Sequence, residues 1–85
     1  MLYTVDFRPS ARKNLAKLPR RDQLRIVSAA EALGQEPRPS GAKKLLAEES
    51  LWRIRVGSYR IIYKIEDDKL LILVVKIGHR KDVYR

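Results

Sequence analysis

The run from Leu51 to Tyr63, LWRIRVGSYRIIY, has the period of a β-hairpin and constrains the rest of the chain. Trp52, Ile54 and Val56 alternate with Arg53 and Arg55. Gly57-Ser58 then turns the chain, and Tyr59, Ile61 and Tyr63 alternate with Arg60 and Ile62. A two-residue loop opening with glycine suits a type II′ turn, whose first loop position demands a positive φ. That loop sets the register: Val56 faces Tyr59, Arg55 faces Arg60, Ile54 faces Ile61, and Arg53 faces Ile62. Residues facing one another across an antiparallel pair project to the same side of the sheet. One side, Trp52, Ile54, Val56, Tyr59, Ile61 and Tyr63, is therefore core. The other gathers Arg53, Arg55 and Arg60. Like charges directly opposite each other destabilise a sheet, so three arginines there imply an anionic occupant.

The remaining elements follow in order. Leu2 to Phe7 alternates Tyr3, Val5 and Phe7 with Thr4 and Asp6 and reads as a strand, stopped at Arg8-Pro9. Ser10 is placed to cap a helix running to Leu18, with Ala11, Leu15 and Leu18 on one stripe. Pro19 breaks it. A second helix runs from Asp22, as N-cap, to Leu33, with Ile26, Val27, Ala30 and Leu33 inward and Gly34 just past its end. The tight proline turn makes the two an antiparallel helical hairpin. Gln35 to Gly41 (QEPRPSG) is a loop, and Ala42 to Ser50 a short turn with Leu45 and Leu46 tucked inward. After a turn at Asp67-Asp68, Lys69 to Gly78 (KLLILVVKIG) is the last strand. It is apolar on both faces, hence central or covered on both sides. Pairing around Asp67-Asp68 places Val75 and Lys76 beside Arg60 and Tyr59. The tail from Gly78 to Arg85 then emerges at the mouth of the Arg55/Arg60 cluster. Arg53, Arg55, Arg60 and Arg80, with His79 and Tyr84, are expected at one concave end of the sheet.

Eighty-five residues suit one domain, 1–85. The longest apolar run, Leu70 to Val75, is too short to span a membrane. Asp6, Arg8 and Arg12 interrupt the N-terminus where a signal peptide would be apolar. With no cysteine and one histidine, neither disulfides nor a metal site nor a cofactor is expected, and a cytoplasmic location is compatible. The net charge of +9 attracts polyanions, of which nucleic acid is the commonest.

The chain offers no paired carboxylates, no Ser/His/Asp set and no glycine-rich phosphate loop. Clustered arginines instead suit bidentate phosphate contacts and the charge of a pentavalent phosphorane. RNA carries its own nucleophile, the 2′-OH. Arginine stays protonated and is a poor base. His79 has the intrinsic pKa of an acid or base at neutral pH, and Tyr84 could serve if neighbouring arginines lower its pKa. Lys43 and Lys44 can grip a nucleic-acid backbone.

The run W-R-I-R-V-G-x-Y-R-I-I-Y together with G-H-R-K-D-V-Y resembles the C-terminal half of the RelE toxins, in the RelE/ParE superfamily of type II toxin–antitoxin systems. YTVDFRPSARKNLAKLP is similar to the family's opening strand and helix, so the likeness covers nearly the whole chain. The resemblance implies an α+β fold, β-α-α-β-β-β, with a helical hairpin packed on a mainly antiparallel four-stranded sheet. It implies a metal-independent, ribosome-dependent endoribonuclease that cuts messenger RNA in the A site by 2′-OH attack. A cognate antitoxin would hold it inactive. The family's catalytic basic residues fall on Arg53, Arg55, Arg60 and Arg80, and its C-terminal tyrosine on Tyr84. Lys43, Lys44 and Lys81 would extend the RNA contact. Arg53 and Arg55 stand where the best-studied pattern has lysines, which shifts the proton-accepting role toward Tyr84 or His79. Two rival functions share the fold: a ParE-like gyrase poison, and a non-catalytic RNA- or ribosome-binding module.

Overall fold

The structure is a computed structural model and describes residues 2–45 and 51–79. Its elements are β1 (Thr4–Phe7), α1 (Pro9–Ala16), α2 (Arg20–Ala32), β2 (Lys43–Lys44), β3 (Leu51–Val56), β4 (Tyr59–Glu66), a 3-10 turn (Asp67–Lys69) and β5 (Leu71–His79). One sheet runs in the order β1-β5-β4-β3-β2. It has five strands where the sequence suggests four, because Lys43 and Lys44 pair antiparallel with Arg53 and Trp52 in place of a plain turn. β1 runs parallel to β5, and every other pair is antiparallel. The apolar β5 is thus an inner strand, as its composition requires.

Both helices cover one face. Ala11 of α1 and Ile26, Ala30 and Leu33 from α2 and its end pack on Ile54, Ile61, Tyr63, Ile72, Val74 and Ile77. Trp52, Val56 and Tyr59 are partly buried against this core, so the side expected to be apolar is the side the helices cover. Among the described residues no helix is long and apolar enough to cross a membrane.

Helix starts differ from expectation. α1 begins at Pro9, with Arg8 in the cap position and no side-chain cap, since proline's fixed φ suits a first turn. Ser10 Oγ instead donates to the Val75 carbonyl at 3.1 Å, tying α1 to β5. Likewise α2 starts at Arg20 with Pro19 as its cap residue. That leaves the Asp22 side chain for another partner. Gly34 does follow the helix, but close approach explains it: a Cβ there would lie 2.8 Å from the Tyr3 carbonyl oxygen.

The hairpin has the register its loop dictates, from Val56↔Tyr59 through Trp52↔Tyr63. Gly57 has φ 61° and Ser58 no positive φ, the pattern of a type II′ turn. The next register differs. The connection spans Asp67–Lys69 plus Leu70, which adopts the left-handed conformation (φ 51°, ψ 50°). Glu66 therefore pairs with Leu71, and an irregularity at Ile62/Tyr63 inserts Val75 as an extra residue. Together these put Gly78 opposite Arg60 and His79 opposite Tyr59, in place of Val75 and Lys76.

Candidate functional site

The face of the sheet opposite the helices carries the basic side chains. Along one row the register sets Lys43, Arg53, Ile62 and Lys76 side by side; along the next, Arg55, Arg60 and Gly78. Facing residues share a side, so Lys43, Arg53, Arg55, Arg60 and Lys76 populate one surface. Arg53 and Arg60 are half-buried and Arg55 is exposed. Ile62 lies among them at 7% exposure, an apolar centre in a basic surround. Lysine and arginine stems cover such a residue while their charged ends reach solvent.

Lys76 joins this surface although the sequence reading places it beside Tyr59. No sequence signal marks the extra residue in β5 that moves it. Lys44 pairs with Trp52, which assigns it to the helix side, and remains exposed. His79 also departs from expectation. Its pairing with Tyr59 directs it to the helix side, and its ring centroid lies 5.0 Å from that of Tyr59, tilted by 48°. The structure thus brings Arg53, Arg55 and Arg60 together and separates His79 from them. Arg80, Lys81 and Tyr84 lie outside the described residues, as does Leu46.

Lys43 is positioned by the preceding loop, which is fastened at several points. Tyr63, at the core, donates its hydroxyl to the Pro37 carbonyl at 2.7 Å, and burial pushes its phenol up to about 12. Arg38 Nη2 donates to Asp67 Oδ2 at 2.9 Å, and its guanidinium carbon lies 5.3 Å from the Trp52 ring centroid. The Tyr3 hydroxyl donates to Asp67 Oδ1 at 2.6 Å. Hydrogen bonds from Arg38 and Tyr3 hold the Asp67 carboxyl below its usual range. The loop in turn forms one wall of a cleft of about 570 Å³, between α2 and the β2/β3 edge. Ala29, Ala32, Leu33 and Ile54 make it apolar, while Lys43, Arg53 and Arg55 rim it.

Beside the hairpin tip, the Tyr59 hydroxyl donates to Asp22 Oδ2 at 2.8 Å. That hydrogen bond, with some desolvation, raises the Tyr59 phenol above its ordinary value. A basic face of this kind, with several guanidinium donors close together, suits a phosphodiester backbone.

Comparison with known proteins agrees with this fold. Residues 5–84 match a family model described as the ParE toxin of the type II toxin–antitoxin system parDE. The chain is 35% identical over 86 residues to the toxin RelG of Mycobacterium tuberculosis, covering 100% of this chain and 99% of that one. It superposes on a chain of the RelBE2 toxin–antitoxin complex from the same organism with TM-score 0.84 and 34% identity, covering 94% of this chain and 100% of that one. It matches the archaeal RelE–RelB complex of Pyrococcus horikoshii with TM-score 0.84 and 28% identity, covering 98% and 100%. With the family model spanning all but its ends and RelE-type relatives matching end to end, the chain belongs to the RelE/ParE superfamily of type II toxin–antitoxin toxins, as a RelE-type member.

Proposed function

We propose that this toxin is a messenger RNA interferase that acts on the ribosome and is held in check by a cognate antitoxin. The observation that carries the reading is Arg55 directly opposite Arg60, with Arg53 on the same face, away from the helices. Guanidinium groups grouped in this way suit bidentate contacts to a phosphate.

The 2′-oxygen of the substrate ribose attacks the adjacent phosphorus, and the bond from phosphorus to the 5′-oxygen breaks. The product ends are a 2′,3′-cyclic phosphate and a 5′-hydroxyl. Arg60 and Arg80 bind the scissile phosphate; Arg53 and Arg55 orient it and neutralise its developing charge. Tyr84 takes the 2′ proton. Water protonates the leaving oxygen, since His79 faces the other side of the sheet. Lys43 and Lys76 grip the flanking backbone; Lys44, on the other side of the β2 edge, and Lys81 are further candidates for RNA contact. The relatives crystallised with RelB antitoxins support an antitoxin partner here, and the apolar cleft beside Arg53 and Arg55 offers it a seat.

Primer extension on a translated message tests the reading. Cleavage with cyclic-phosphate ends is expected from the wild-type protein, and Arg80→Ala should slow it by about 10²–10³-fold with the fold intact. Intact transcripts accompanied by DNA damage would overturn the reading in favour of gyrase poisoning. Binding without cleavage would favour a passive RNA- or ribosome-binding module.

A further inference from the structure

A second set of contacts runs from α2 to the end of β5, on the side of the sheet away from the arginines. The Tyr59 hydroxyl is anchored on Asp22 at 2.8 Å, and its ring packs on His79 at 5.0 Å between centroids. The same end of the hairpin is closed by Arg25, whose guanidinium would lie 3.0 Å from a Cβ placed on Gly57. Two residues of α2 therefore clasp the hairpin tip, and through Tyr59 they reach the last described residue of the central apolar strand.

This arrangement does not suit His79 to proton transfer. A general acid must come within hydrogen-bond reach of the leaving oxygen, and the register sends this ring to the side opposite Arg55 and Arg60. Ring packing at a tilted 48° is, in contrast, a favourable aromatic geometry. It sits where β5 ends and the sequence continues directly into Arg80.

We propose that Asp22, Tyr59 and His79 form a positioning pin for the end of β5, with His79 acting through the packing of its ring and not as an acid or base. The proposal rests on the interferase reading above. A phosphate held by residues from two segments is sensitive to small displacements of either, so a pinned strand end serves the reaction without touching the substrate. Tyr59 and His79 are positioning residues in this sense.

The test combines cleavage of a translated message with NMR of the His79 ring, after thermal unfolding establishes that each variant is folded. In the wild-type protein the His79 ring protons should be displaced from free-imidazole shifts by the Tyr59 ring current. Free-imidazole values would overturn the contact whether or not any variant folds. His79→Ala and Tyr59→Leu should each slow cleavage by about ten- to a hundredfold. The double variant should be no slower than the worse single, because both remove one pin. His79→Phe, which keeps a ring and loses the titrating nitrogens, should stay within about threefold of wild type. His79→Phe as slow as His79→Ala would overturn the proposal in favour of proton transfer, and multiplied losses in the double variant would overturn it in favour of independent roles. A wild-type protein that leaves translated messages intact would overturn the interferase reading and the pin's catalytic role together. Wild-type cleavage that His79→Ala and Tyr59→Leu leave undiminished overturns the pin alone.

Discussion

Arg55 and Arg60 face each other across one antiparallel pair, and Arg55 is exposed. Opposed like charges cost a sheet roughly 0.2–1 kcal/mol, so Arg55→Thr should raise the unfolding free energy by about that much while slowing cleavage. Denaturant unfolding and primer extension check the two halves; a variant both less stable and fully active would contradict the assignment. Asp67 poses the opposite case. Its carboxyl is held below the ordinary range by Arg38 and Tyr3, so it is harder to protonate folded than unfolded. Its contribution is complete above the unfolded pKa of about 4 and fades as pH falls through the lowered folded value. Asp67→Asn lacks that contribution at every pH, so its melting temperature should fall less than that of wild type on acidification from about pH 5. Equal falls would show that the ion pair adds nothing. At this scale the sequence revealed which residues share the arginine face within the hairpin, because alternation and a two-residue loop leave no freedom. It hid the direction of His79 and the membership of Lys76, both of which hang on one unpaired valine, Val75, in β5.

The elements divide in the same way. Gly57-Ser58 announces its turn because only glycine readily accepts the φ of 61° found there. The β4–β5 connection conceals its length because the residue in the left-handed conformation is a leucine, Leu70, which no turn rule would choose. A left-handed non-glycine residue costs roughly 1–2 kcal/mol. Leu70 is also largely exposed, so Leu70→Gly sacrifices little packing. We expect it to stabilise the protein by about 0.5–1 kcal/mol, net of glycine's greater freedom when unfolded. Chemical denaturation measures this, and a loss of stability would mean that Leu70 makes a contact more valuable than its strain. The helices were legible as a pair, from the apolar stripes and the Pro19 break. Their starts were not: Ser10 and Asp22, both good capping residues, are used by Val75 and Tyr59 instead. Tertiary partners outbid local ones. The short β2 was invisible for a related reason, since two lysines carry no strand signal and pair with β3 because the fastened loop delivers them there.

For the molecule as a whole, a net charge of +9 with Lys43, Arg53, Arg55, Arg60, Lys64 and Lys76 on one face predicts strong salt dependence of RNA binding. If about four phosphates of a single strand are neutralised, log affinity should fall against log salt with a slope near −3. Fluorescence anisotropy with a short RNA across a salt series measures it, and a flat line would rule out phosphate contact as the source of affinity. One topological fact reaches further. β1 lies parallel to β5, and Thr4 to Phe7 find their partners only at Leu71 to Val74. Such distant pairing postpones completion of the sheet. A chain still folding therefore carries β5 with one flank open, and that flank is where premature pairing with a second copy would begin.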